Sequence, residues 1–138
     1  MRWPITRVVA VPVGAFGCRL AQRSDFVNDF AAMTATIRNL LAEVKAGLAR
    51  VYGARLQGVF LFGSYARNAA DAESDFDVLV VLDVIAGYGA EVDRTAELTA
   101  ELSLQNDVSI STVFVSADDW RAAQTPFLLN VRAEAIAA

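Results

Sequence analysis

The 138-residue chain has no histidine and a single cysteine, and its only lysine is Lys45. Each shortage removes a class of chemistry. Without histidine there is no Ser-His-Asp or Cys-His relay and no ordinary zinc site. Cys18 alone cannot form an intrachain disulfide, so the cysteines give secretion no support. Gly63-Ser64 is not followed by Gly-Lys-Ser/Thr, which excludes a Walker-type phosphate loop. Positive charge is scarce as well: 12 Lys and Arg against 16 Asp and Glu leave a net charge of −4. That argues against general nucleic-acid binding, which needs a basic face. The chemistry left must run on carboxylates, hydroxyls, arginines and metal.

What is present suits a single globular domain. Hydrophobic residues make up 55% and charged residues 20% of the chain, a balance that excludes disorder and supports a core. The apolar run Val8–Cys18 lies between arginines and is too short to cross a membrane. Pro12, Gly14 and Gly17 weaken it as the helical segment of a signal peptide. Residues 1–24 therefore read as a flexible extension, with Met33 an alternative first residue, and residues 25–138 as the domain.

The stretch from Leu61 to Leu82 organises the rest. An apolar run ends in Gly63-Ser64, small residues follow, and a second apolar run opens with Asp75-Phe76-Asp77. Side chains alternate along a strand, so Asp75 and Asp77 project to one side and Phe76 and Val78 to the other. Two neighbouring carboxylates raise each other's pKa unless a cation lies between them, and a divalent metal is the obvious one. Gly63 allows close backbone approach to a ligand. Ser64 is expected to open a short helix, to about Ala70, whose free N–H groups favour phosphate.

Helical spacing of Phe26, Phe30, Met33, Ile37, Leu40, Leu41, Val44, Leu48 and Val51 predicts a helix over Asp25–Tyr52, capped by Ser24 or Asp25 and ended by Gly53. Strands follow at Leu56–Phe62 and Asp75–Leu82, the second apolar enough to be central and covered on both faces. A loop over Ile85–Ala90 leads to a helix over Glu91–Leu104. Alternation predicts a strand over Asn106–Val115, with Asp107, Ser109, Ser111 and Val113 on one face. Ser116 and Asp119 suit a helix start, and Thr125-Pro126 opens a last helix whose apolar side includes Ala135 and Ile136. The class is α/β, a small mixed sheet flanked by helices. Arg67 either meets a phosphate or pairs with Asp71 or Glu73, and Ser74 reads as a turn residue before Asp75. Tyr65 and Trp120 read as packing or surface.

Gly-Ser-x-Ala-Arg-x6-Ser-Asp-x-Asp, from Gly63 to Asp77, resembles the signature of the polymerase-beta-like nucleotidyltransferases. Within them the chain is most similar to the minimal nucleotidyltransferases, often encoded beside a helical HEPN partner as toxin–antitoxin pairs. The likeness runs from about Met33 to the C-terminus and departs at Asn68, where the family usually has Gly. Asn tolerates left-handed backbone better than most residues. The resemblance implies the polymerase-beta-like fold, with Asp75, Asp77 and Asp107 as catalytic residues holding two Mg²⁺ ions and Gly63 and Ser64 binding the β/γ-phosphates of ATP. Asp107 would lie nearest the attacking oxygen and take its proton, directly or through water.

The implied reaction moves AMP from ATP to an acceptor hydroxyl with loss of pyrophosphate. The family setting suggests a tyrosine of a HEPN-type toxin as acceptor, making this chain the cytoplasmic antitoxin. An antibiotic nucleotidyltransferase is one rival, although such chains usually carry an additional helical domain for the drug. A non-catalytic antitoxin that acts by binding is another.

Overall fold

A computed structural model describes residues 24–138, with side chains from residue 35 onward. The expected extension lies outside these residues apart from Ser24, as do the side chains of Phe26, Phe30 and Met33. Helix α1 (Ser24–Tyr52) is followed by a short 3-10 turn at Gly53–Arg55 and strand β1 (Leu56–Phe62). Next come β2 (Phe76–Leu82), α2 (Tyr88–Asn106), β3 (Ile110–Ser116), α3 (Ala117–Ala122), α4 (Pro126–Glu134) and β4 (Ile136–Ala137). Gly53 stops α1 where expected, in left-handed backbone at φ 57°.

The sheet order is β3-β2-β1-β4. Strand β1 runs antiparallel to β2 and β4, whereas β2 and β3 are parallel and joined by the α2 crossover. The expected small mixed sheet with helices is therefore present. Central β2 is buried along almost its whole length, and its alternating side chains feed two cores. Phe76, Val78, Val80 and Leu82 join Val59, Leu61 and Phe114 under Leu40, Leu41, Val44, Leu48 and Tyr52 of α1 and Leu102 of α2. Leu79 and Val81 join Phe60, Val115, Trp120, Leu128 and Val131 under α3 and α4. Two apolar layers thus clamp β2, and within it only Asp77 is less than fully buried.

Four elements differ from expectation. The Ser64–Ala70 segment forms successive turns and no regular helix. Helix α2 begins three residues earlier than expected, at Tyr88, and runs through Asn106, so Asp107 stands at the end of a helix and not on a strand. Asn and Asp tolerate left-handed backbone, and Asp107 at φ 52° closes α2 with its N–H on the Ser103 carbonyl. Strand β3 starts only at Ile110, whose N–H donates to Ser103 Oγ at 3.1 Å. Ile136 and Ala137 leave α4 to pair with Leu61 and Phe60, an edge pairing that carries no periodic signal. The two caps read from sequence are formed: Ser116 Oγ accepts from Asp119 N–H, and Thr125 Oγ1 from Leu128 N–H, both at 3.2 Å.

Candidate functional site

The ladder between β1 and β2 ends with Phe62 opposite Asp77, so the next residue, Gly63, turns directly over that carboxylate. Gly63 has φ 78°, and a Cβ there would run into Asp77 Oδ2. Only glycine meets both demands. One helical turn then follows, closed by Ala69 N–H on the Ser64 carbonyl at 2.8 Å and Asn68 N–H on the Tyr65 carbonyl at 3.3 Å. With Asn68 at φ 58°, these are the paired bonds of a left-handed helix stop. Asn in the position of the usual Gly therefore preserves the turn. Tyr65 packs its ring on Phe76 at 5.3 Å between centroids, tying the turn to β2.

Asp75 is presented by a second turn. Ser74 Oγ accepts from Asp71 N–H and donates to Asp71 Oδ1, as expected of a turn residue. Phe76 N–H then donates to the Ser109 carbonyl at 2.8 Å and starts the β2–β3 pairing. Asp77 is half-buried and lies on the strand face that also carries Leu79 and Val81. Burial pushes its pKa up, the charge of Asp75 pushes it further, Arg67 opposes this, and Glu134 adds to it.

Glu134 went unrecognised in the sequence. Its Oε2 accepts from Gly63 N–H at 2.8 Å, and both carboxylate oxygens lie 3.1 Å from Arg67 Nη1. Arg67 thus pairs neither with Asp71 nor with Glu73 but with a residue 67 positions away. No local spacing could have signalled that.

Asp107 lies on the Asp75 side of the site and is not among the groups that shift Asp77. With Asp75, Tyr65, Ser74, Ser103 and Ser109 it borders an open depression of about 660 Å³ between the Asp75 turn and the end of α2. The charges acting on Asp77 are those of Asp75, Arg67 and Glu134. Strand β3 places Ser111 beside Asp77 instead. Among the described residues no group of three or more His, Cys, Asp or Glu is gathered that could hold a metal ion. The Asp75–Asp77 pair still fits Mg²⁺, because that ion typically takes one or two carboxylates and completes its shell with water and substrate phosphates. Burial first and the charge of Asp75 second disfavour the Asp77 carboxylate, and a bound cation would offset both.

Among the described residues no helix is long and apolar enough to cross a membrane. The chain is 32% identical over 77 residues to "Putative protein adenylyltransferase MJ0141" of Methanocaldococcus jannaschii, a match covering 56% of this chain and 77% of that protein. It is 36% identical over 67 residues to "Putative protein adenylyltransferase MJ0604" of the same organism, covering 49% of this chain and 61% of that protein. A solved chain described as a toxin-antitoxin with AMP-PNP superposes with a TM-score of 0.51 over 70% of this chain and 69% of its own. At 23% identity that likeness is one of fold. The nucleotidyltransferase domain pattern matches residues 41–125. That span runs from the middle of α1 to the cap of α4, with the Gly63 turn and the Asp75–Asp77 pair inside it, and it makes the chain a member of the nucleotidyltransferase domain family.

Proposed function

We propose that this nucleotidyltransferase moves AMP from ATP to a hydroxyl on a partner protein, a tyrosine of a HEPN-type toxin, and so acts as an antitoxin. One observation carries the donor half: the Gly63 turn closes directly over Asp77, with Asp75 beside it. Gly63-Ser64 would receive the β/γ-phosphates, with Arg67 as the nearby cation, while Asp75 and Asp77 would hold Mg²⁺. The metal, when bound, neutralises phosphate charge and the charge that develops in transfer. The chain's own part is to fix the triphosphate and leave its α-phosphate open to attack. An acceptor oxygen bonds to the α-phosphorus, the bond to the bridging oxygen breaks, and pyrophosphate leaves. Asp107 borders the same depression as Asp75, which supports a role for it in taking the acceptor's proton.

The names of the M. jannaschii relatives support protein as the acceptor, and the family setting supports a HEPN-type toxin. An acceptor from outside also suits a depression as open as this one. A binding-only antitoxin finds no support in Asn68, since that residue leaves the phosphate turn closed.

The test uses ATP labelled at the α-phosphate, Mg²⁺, the purified chain and the product of the neighbouring gene. Label is expected on a tyrosine of the neighbour and is lost with Asp77→Asn. A tight complex without label would replace catalysis with binding. Label or pyrophosphate release that depends on an antibiotic would replace the protein acceptor with a drug.

A further inference from the structure

We propose that Glu134 is a positioning residue of the nucleotide site: its carboxylate holds the Gly63 turn and Arg67 in the arrangement that receives the phosphates. The inference rests on the nucleotide-binding reading above. Glu134 is the last residue of α4 and is fixed from both sides. Before it, Leu128 and Val131 are buried in the second core. After it, Ile136 and Ala137 pair with Leu61 and Phe60 of β1. A carboxylate on so short a link has little freedom to move.

Its two partners are the parts of the turn that need holding. Gly63 has just left the β1 ladder, and its N–H finds Glu134 Oε2 at 2.8 Å. A left-handed glycine is the most flexible point of the segment, and a charge-assisted bond there restrains it. Arg67 is about half exposed, and its Nη1 lies 3.1 Å from both Glu134 oxygens. Without that anchor the guanidinium could turn to Asp71, Glu73 or water. With it, the cation stays beside the turn, and the Glu134 charge is balanced where phosphates arrive.

The experiment measures binding of AMP-PNP with Mg²⁺ by calorimetry on the full chain, with thermal unfolding of each variant alongside. Glu134→Ala removes both contacts and is expected to weaken binding about tenfold or more. Glu134→Gln keeps an oxygen for Gly63 N–H and is expected to stay within about threefold of the unchanged chain. In the labelling reaction the KM for ATP should rise more than kcat falls in Glu134→Ala. If Glu134→Ala does not fold, Glu134→Asp gives the answer, because it keeps the charge but withdraws it by one methylene and should also bind more weakly. Unchanged or tighter binding by the alanine or aspartate variant would overturn the proposal, and tighter binding would make Glu134 a competitor for the phosphate seat. No binding by the unchanged chain would remove the nucleotide reading and this inference together, a result distinct from equal binding by all variants.

Discussion

Asp77 carries a cost that the fold accepts at one residue. Its carboxyl is held above the ordinary value of 3.8, by burial first and by Asp75 second. The folded chain therefore binds more protons than the unfolded chain over the window above 3.8, and stability falls as pH rises through it. At neutral pH the penalty is fully present. Asp77→Asn, melted without divalent cations, is accordingly expected to be at least as heat-stable as the unchanged chain at neutral pH, and to lose that advantage in acid. Adding Mg²⁺ and nucleotide should raise the melting temperature of the unchanged chain and leave the variant where it was. Turnover should be lost in the variant throughout. Asp107→Asn is expected to lower turnover less than Asp77→Asn when the two are compared in one labelling assay. Asp107 caps α2 and is not among the charges that shift Asp77.

At the scale of the element, the turn after Gly63 is one helical turn with a left-handed stop, and Asn68 is that stop. A residue branched at Cβ is strained there by about 1–2 kcal/mol. Asn68→Val should therefore lower stability by about that amount and reduce turnover, because the strain reaches the Ser64 carbonyl through Ala69 N–H. Asn68→Gly should change stability little and keep turnover. Chemical denaturation and the labelling assay on the two variants separate strain from loss of the asparagine side chain. The same stop explains why the segment did not continue as the helix expected from its small residues. Alanines favour helix weakly over so few residues, and the chain must instead turn back to deliver Ser74 and Asp75.

On the scale of the whole molecule, the charge proposed for the nucleotide site and the structural charge sit at opposite ends of the central strands. Gly63 and Asp77 mark one end of β1 and β2. At the other end, Glu91 of α2 accepts from Tyr52 Oη at 3.0 Å, Arg55 Nη2 at 2.8 Å and Arg94 Nε at 3.2 Å. Arg55 also meets Asp83 at 3.2 Å, so α1, β1, β2 and α2 are tied together there. The Arg55 hydrogen bond leads in holding Glu91 below its ordinary value of 4.5, whereas burial first and Glu91 second push Tyr52 up to about 12. A lowered carboxyl contributes stability above its ordinary value and loses it as pH falls toward the folded value. Glu91→Gln should cost about 2 kcal/mol at neutral pH, reduce the loss of stability on acidification below 4.5, and leave turnover unchanged. Thermal melts across that range, beside one activity measurement at neutral pH, check all three.

Much of this molecule is local and was therefore open to reading along the chain. Periodicity marked α1 and its stop at Gly53, the strands flanking the Gly63 turn, and the caps at Ser116 and Thr125, because each depends on neighbours a few residues apart. The residues proposed for the donor half of the site could be picked out for the same reason, since Gly63, Ser64, Asp75 and Asp77 fall within 15 residues. Whatever needed a distant partner was decided by the tertiary structure alone. Asp107 looked like a strand residue until α2 packed and ran on to reach it. The edge strand β4 exists only because β1 offers unpaired backbone. Glu134 reaches Gly63 and Arg67 because α4 is pinned between the second core and that edge. A carboxylate 71 residues from the N–H that donates to it has no periodicity to betray it; only packing brings the two together.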